Sequence, residues 1–277
     1  MEKIGFIGCG NMAASIIGGM VSGDFDPKII YATDSDNAKL ADISEKFGIN
    51  TLNSNAELVS VCDIVVLAVK PQVMHDIIDA LSPEIRNLKN KLYISIAAGI
   101  KQSTLKRWIG ENATVIRTMP NTPSLIGKGV TGIYAEQNTA SEKVEKTIQI
   151  MSAVGTDIIV KEERLLDTIT AISGSGPAYY FMVMEVMIDS AIGLGLDKES
   201  ATKAVIGTAL GAAAMAQAQI NETAPAALRK NVTSPNGTTE KAIASFQADG
   251  IGTVFDKAVN AAYSRSQELA DDFDKVK

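Results

Sequence analysis

Lys3-Ile4-Gly5-Phe6-Ile7-Gly8-Cys9-Gly10-Asn11-Met12-Ala13 decides the fold of this chain. Lys3–Ile7 is a short apolar run of strand character, and it feeds directly into the pattern G-x-G-x-x-A. Gly8 makes the turn, Gly10 leaves the backbone bare for a diphosphate, and Ala13, in the third glycine's place, still permits close packing of helix on strand. A segment of helical character continues to Val21, so the turn opens a helix whose unpaired N–H groups and positive dipole end favour an anion. The next strand-like run, Ile29–Thr33, ends at Asp34. About twenty residues past the motif, a carboxylate accepts hydrogen bonds from adenosine ribose hydroxyls and opposes a 2′-phosphate. The expectation is a site for NADH or NADPH, with a lean towards NADH carried by Asp34. Thr33, Ser35 and Lys39 remain able to hold a phosphate, and an aspartate at a strand end also serves as N-cap to the following helix.

Further strand-like runs recur at Ile64–Ala68, Leu92–Ile96, Thr114–Met119, Val130–Tyr134 and Asp157–Val160. Helix-period segments at Asp36–Phe47, Gln72–Leu81, Gln102–Trp108 and Ser141–Met151 alternate with them. This alternation predicts an α/β domain over residues 1–161, a doubly wound, mostly parallel sheet of Rossmann type. After Val160 the strand-like runs stop. Long stretches rich in Ala, Gly and Met follow at Pro177–Leu194, Lys198–Ile220 and Ile251–Phe273, with a shorter one at Thr238–Gln247. Residues 162–277 are expected to be all-α. Small residues let helix backbones approach and Met fills irregular gaps, so this surface is either a monomer core or a subunit interface.

Composition narrows the function. A chain of 277 residues with 46% apolar and 21% charged residues can bury a large core and is not disordered. A net charge of −6, with no dense basic run, argues against a nucleic-acid partner. Cys9 and Cys62 are too few for a disulfide framework and read as small buried apolar residues. The N-terminal apolar stretch is interrupted by glycines and Asn11, and Ala204–Ala218 is too short to span a bilayer of about 30 Å. The expectation is a cytoplasmic protein with no membrane partner. His75 is the one histidine, which argues against a Ser-His-Asp triad or a multi-histidine metal centre, and no metal is expected.

Ligands of an open parallel sheet lie beyond the carboxyl ends of its strands, which draws in Val69-Lys70-Pro71-Gln72, Ala97-Ala98-Gly99 and the loop Met119-Pro120-Asn121-Thr122-Pro123. The two prolines of that loop suggest a rigid wall. Reduction of a ketone needs a proton donor beside the carbonyl oxygen. The β-hydroxyacid dehydrogenases, which share the two-domain plan, place a lysine one turn after a glycine-rich opening of the helical domain. Here that opening is Ser173-Gly174-Ser175-Gly176-Pro177-Ala178-Tyr179, with no lysine. A protonated imine needs mainly orientation and a dry pocket. Downstream, Pro235-Asn236-Gly237 signals a turn, and Thr238 or Thr239 is expected to cap a helix carrying Glu240 in its first turn. Such hydroxyls and free N–H groups can seat a carboxylate; an ordinary capped helix is the alternative.

With Phe6–Met12, Ala68–Pro71, Met119–Pro123, Ser173–Tyr179 and above all Val232-Thr233-Ser234-Pro235-Asn236-Gly237-Thr238-Thr239, the chain resembles the pyrroline-5-carboxylate reductase family over essentially its whole length. The resemblance implies that Gly8, Gly10, Asn11 and Met12 hold the cofactor diphosphate. It places Asn55, Val69, Lys70, Pro71, Ala98 and Gly99 along the rest of the cofactor. Ser234, Asn236, Gly237, Thr238 and Thr239 are implied to bind the substrate carboxylate, with Thr239 also near the ring nitrogen as the catalytic residue. Asn236 stands where many members have glycine. Asp34 replaces the more usual uncharged or hydroxyl residue of a family that usually takes NADPH and often NADH. The resemblance further implies 1-pyrroline-5-carboxylate and L-proline as ligands, and a homodimer through the helical domain, assembled further into a ring. Another small cyclic imine as substrate, or a dinucleotide-sensing protein without turnover, are the alternatives.

Overall fold

The structure is a computed structural model that describes every residue except 1, 87, 89 and 277. The chain divides into two compact units: residues up to Ser175 together with those from Ala261 onward, and Gly176–Asn260.

The first unit contains β1 (Ile4–Ile7), α1 (Asn11–Ser22), β2 (Ile30–Thr33), α2 (Asn37–Phe47), β3 (Asn50–Thr51), α3 (Asn55–Val61), β4 (Ile64–Leu67), α4 (Pro71–Asp79), α5 (Pro83–Arg86), β5 (Leu92–Ser95), α6 (Gln102–Ile109), β6 (Thr114–Met119), β7 (Gly129–Tyr134), α7 (Ser141–Ser152), β8 (Gly155–Val160) and α8 (Leu165–Ile169). Among the described residues the strands form one sheet in the order β3-β2-β1-β4-β5-β6-β7-β8, parallel throughout except where β6 meets β7. The doubly wound expectation is met. The strand order reverses at β1, which pairs with β2 on one side and β4 on the other. The carboxyl ends of β1 and β4 therefore flank the switch point where such sheets bind ligands.

The sheet is buried on both faces because its central strands β1 and β4 are apolar at every position and β5 at all but Ser95. Ile4 and Phe6 of β1, Ile64 and Val66 of β4, and Leu92 and Ile94 of β5 join one core with α1, α2 and α7. The alternate residues Ile7, Val65, Leu67 and Tyr93 join a second core with α3, α4 and α6. Successive side chains of a strand point to opposite faces, so one short run supplies both layers. β3 and α3 lie outside the sequence expectation; two paired residues are too few to show a period, and α3 is a two-turn helix capped by Ser54.

The second unit is helical: α9 (Gly176–Gly193), α10 (Lys198–Ala218), α11 (Pro225–Asn231), α12 (Thr238–Ala248) and the first turns of α13 (Ile251–Asp274). Tyr180, Phe181, Met182, Leu210, Phe246 and Val254 are exposed on the single chain, which favours the interface reading of this surface over the monomer-core reading. None of the described helices is long and apolar enough to cross a membrane.

Candidate active site

The glycine turn is held from two sides. Gly8 has φ +99°, and a Cβ built on it would lie 2.8 Å from the Ala68 carbonyl oxygen, so glycine is required on both conformational and steric grounds. The Gly8 amide donates to the Thr33 carbonyl at 2.8 Å. The Cys9 amide donates to Asp34 Oδ2 at 2.6 Å, and the Asp36 amide donates to Asp34 Oδ1 at 2.9 Å. Asp34 thus anchors the turn, while the capping of α2 falls to Asp36, whose carboxylate accepts from the Ala38 and Lys39 amides. Gly10 is the N-cap of α1, no side chain caps that helix, and a Cβ built on Gly10 would meet nothing within 4 Å. Open space beside uncapped amides at a helix start fits a diphosphate.

A cleft of about 330 Å³ opens at this turn. It brings together Gly8, Gly10, Asp34, Asn55, Val69 and Lys70 of the expected cofactor residues, and adds Ser35 and Lys39 beside Asp34. The Thr33 hydroxyl donates to Asn55 Oδ1 at 2.6 Å, leaving the Asn55 amide nitrogen as a donor. The other expected residues lie outside the cleft lining. Asn11 lines a larger groove of about 730 Å³ along α1 and residues 124–127, which does not reach Gly8, Gly10 or Asp34. Met12 packs against the first core, and Pro71 is the first residue of α4. Ala98 and Gly99 follow β5, and Gly99 is buried with φ +77°. Burial pushes the Cys9 and Cys62 thiols up to about 12, so both stay inert free thiols, as their expected packing role requires. His75 is partly buried on α4, edge-on to Trp108 at 5.1 Å between ring centroids.

The loop after β6 owes its rigidity to Asn121 as well as to the prolines. Asn121 is buried; its side chain donates to the Ser173 carbonyl at 2.9 Å and accepts from the Val130 amide at 2.8 Å. Ser173 belongs to a single π-helical turn, Thr170–Gly174, that precedes α9. A Cβ on Gly174 would lie 2.8 Å from Met119 Cε, so the glycine lets this turn approach the loop. The sequence offers no signal for the Asn121 bridge, which joins residues 52 apart.

The expected carboxylate seat lies in the second unit. The Gly237 amide donates to the Ser234 carbonyl at 3.0 Å, and Asn236 adopts φ +60°, the left-handed region where glycine or asparagine is favoured. The cap expected from Thr238 or Thr239 is not made. Gly237 is the N-cap of α12, Thr238 and Thr239 are its first two residues, and no side chain caps it. Glu240 instead reaches back to accept the Asn236 amide at 2.9 Å, which braces the turn and leaves first-turn amides for another acceptor.

Comparison with known proteins agrees with both halves. Residues 3–99 match the family model described as NADP oxidoreductase coenzyme F420-dependent, and residues 163–269 match the one described as pyrroline-5-carboxylate reductase dimerisation. The chain is 46% identical to the pyrroline-5-carboxylate reductase of Pseudomonas aeruginosa over 97% of each chain. It is 36% identical to that of Arabidopsis thaliana over 97% of this chain and 95% of the plant protein. Among solved structures, a pyrroline-5-carboxylate reductase from Coxiella burnetii superimposes with a TM-score of 0.92 at 39% identity, covering 97% of this chain and 98% of the other. The Plasmodium falciparum pyrroline carboxylate reductase, solved with NADP bound, gives 0.83 at 28% identity over 97% and 98%. Identity of this extent, over nearly the full length of both chains, shows that the chain belongs to the pyrroline-5-carboxylate reductase family.

Proposed function

We propose that the protein reduces 1-pyrroline-5-carboxylate to L-proline with NADH or NADPH, the last step of proline biosynthesis. The observation that carries the reading is the Ser234–Thr239 turn, a braced left-handed bend opening a helix with no side-chain cap in a chain of this family. Residues 1–161 are read as the dinucleotide domain and 162–277 as the helical substrate-binding and dimerisation domain, a division that the family-model matches at 3–99 and 163–269 support.

In this reading the amides after Gly10, those of Asn11 and Met12, hold the diphosphate with Gly8 closing the turn. Asp34 and Asn55 serve the adenosine end, and Val69, Lys70, Pro71, Ala98 and Gly99 lie along the remainder. The nicotinamide, when bound, supplies the hydride. Ser234, Asn236, Gly237, Thr238 and Thr239 hold the carboxylate through amides and hydroxyls, and Thr239 donates a hydrogen bond towards the ring nitrogen. The hydride goes to the imine carbon, C2 of the pyrroline ring and C5 of the proline product, and a proton to nitrogen, so the imine becomes an amine without an oxyanion to stabilise. Positioning therefore accounts for more of the catalysis than a strong general acid. The exposed apolar residues of α9, α10 and α12 support a homodimer through the helical domain; the reading extends to a ring of such dimers in the cytoplasm, a reducing compartment that suits two buried free thiols.

The test is oxidation of NADH and of NADPH, followed by absorbance, with and without 1-pyrroline-5-carboxylate. Rapid imine-dependent oxidation is expected; cofactor binding without it would establish a sensing protein instead, and faster turnover of a six-membered cyclic imine would reassign the substrate. In Thr239→Ala, loss of one hydrogen bond to a charged group should lower kcat/KM for the pyrroline roughly ten- to a hundredfold while cofactor affinity stays nearly unchanged. Unchanged kinetics would remove Thr239 from the mechanism.

A further inference from the structure

We infer that the last turns of α13 set the position of the Ala98-Gly99 turn for the dinucleotide, with Lys101 as the positioning residue and Asp274 as its anchor. The inference deepens the proposed function and rests on Ala98 and Gly99 lying along the cofactor.

On its inner side the turn between β5 and α6 is held by Ala97 and Ile100, which join the second core, and by the Ala97 amide donating to Ser95 Oγ at 3.3 Å; its outer side has less of its own to fix it. Ala97, Ala98 and Gly99 carry no side chain beyond Cβ, and Gly99 sits at φ +77°. Contact from outside makes up the difference. A Cβ built on Gly99 would lie 3.1 Å from Leu269 Cβ and 3.5 Å from Phe273 Cε2, so α13 rests directly on the turn's backbone. Two residues further on, Lys101 Nζ stands 2.7 Å from Asp274 Oδ2 and 3.0 Å from Asp271 Oδ1. The Thr104 hydroxyl donates to Asp274 Oδ1. Arg107 Nη2 donates to the carbonyl oxygens of Asp274 and Val276 at 2.9 and 3.2 Å. Upstream, the buried Ser266 hydroxyl donates to Asp167 Oδ1 at 2.6 Å. The helix is therefore fixed on both sides of Leu269, and Lys101 couples its end to the residue where the cofactor turn becomes α6.

The experiment uses the full-length protein and measures dinucleotide Kd by titration of NADH fluorescence, with NADPH in parallel, beside kcat and KM. Lys101 acts through a positioned element, so Lys101→Met should weaken both dinucleotides about fivefold, equivalent to about 1 kcal/mol. Expected alongside are kcat and the KM for pyrroline within about twofold of the parent, and recovery in Lys101→Arg. Asp274→Asn separates this role from a direct contact: a Lys101 that touched the phosphates would bind more tightly once released, whereas a positioning Lys101 binds more weakly. Tighter binding in Asp274→Asn, or an unchanged Kd in Lys101→Met beside a lowered Tm, overturns the inference. Should Lys101→Met fail to fold, Leu269→Ala carries the same expectation and the same refutation. Absence of dinucleotide binding by the parent protein overturns the functional reading itself, a distinct outcome.

Discussion

The Cys9 amide donates to Asp34 Oδ2 at 2.6 Å, so the residue that ends β2 holds the glycine turn that ends β1. The second carboxylate oxygen takes the Asp36 amide. A carboxylate has about four acceptor positions, which leaves Asp34 room for ribose hydroxyls while both amides stay bound. One residue thereby combines anchoring of the turn with negative charge in a cleft that also holds Ser35 and Lys39.

The two roles come apart by substitution. Asp34→Asn keeps the shape and one acceptor oxygen but removes the charge that opposes a 2′-phosphate, so the ratio of kcat/KM for NADPH over NADH should rise about tenfold, equivalent to roughly 1.4 kcal/mol. Asp34→Ala strips the acceptor from the part-buried Cys9 amide, a loss of about 1–3 kcal/mol, and from the exposed Asp36 amide, which water can satisfy, and should weaken both cofactors together. Kinetics with both cofactors on each variant decide; a ratio unmoved in Asp34→Asn would leave Asp34 as an anchor alone.

Much of this is legible in the sequence. The run Lys3–Ile7 with Gly8 and Gly10 announces a strand, turn and helix because the chemistry is local: a β-branched run, a required positive φ and a bare backbone. All seven strand-like runs appear as strands, since each is a short run rich in β-branched and apolar residues. The pair Asn50–Thr51 escaped because two residues carry no period. At α12 the hydroxyls of Thr238 and Thr239 read as caps, but Gly237 adopts the extended cap geometry without a side-chain bond, and Glu240 supplies the brace. Bonds between distant residues leave no trace in the sequence: Cys9 to Asp34, Asn121 to Ser173, and Lys101 to Asp274 each depend on where the fold places two segments far apart in the chain.

Asn236 tests the seat in the second unit through its backbone. Left-handed geometry costs an ordinary L-residue about 1–2 kcal/mol, less for asparagine and nothing for glycine. Asn236→Gly should therefore fold with stability within about 0.5 kcal/mol of the parent and retain activity. Asn236→Val should lower stability by about 1–2 kcal/mol and raise the KM for pyrroline, with dinucleotide Kd unchanged. Denaturant titration and steady-state kinetics read the two effects separately; a Val variant with unaltered KM would show that the left-handed bend does not shape the seat.

Acid titration reads the Lys101–Asp274 pair. Burial alone would raise the Asp274 carboxyl, but hydrogen bonds from Lys101 and Thr104, with the charges of Lys101 and Arg107, outweigh it and hold the group below its ordinary value. Lys101 is held above its own by its bonds to Asp274 and Asp271. A carboxyl depressed in the folded state contributes stability above its unfolded pKa, about 4, and loses that contribution as pH falls through the folded value. A raised lysine contributes fully below its unfolded pKa of about 10.4 and loses that contribution only as pH rises through the folded value. The pair's contribution is therefore flat from about pH 5 to 9 and declines in acid and again in strong alkali. Partly exposed pairs are worth about 1 kcal/mol or less, so the Tm difference between the parent and Asp274→Asn should be small, constant over that range, and vanish as pH falls below about 4. Thermal unfolding at a series of pH values measures it. A difference that shrank between pH 5 and 7 would contradict a carboxyl held below its ordinary value and would remove Asp274 as the charged anchor of Lys101.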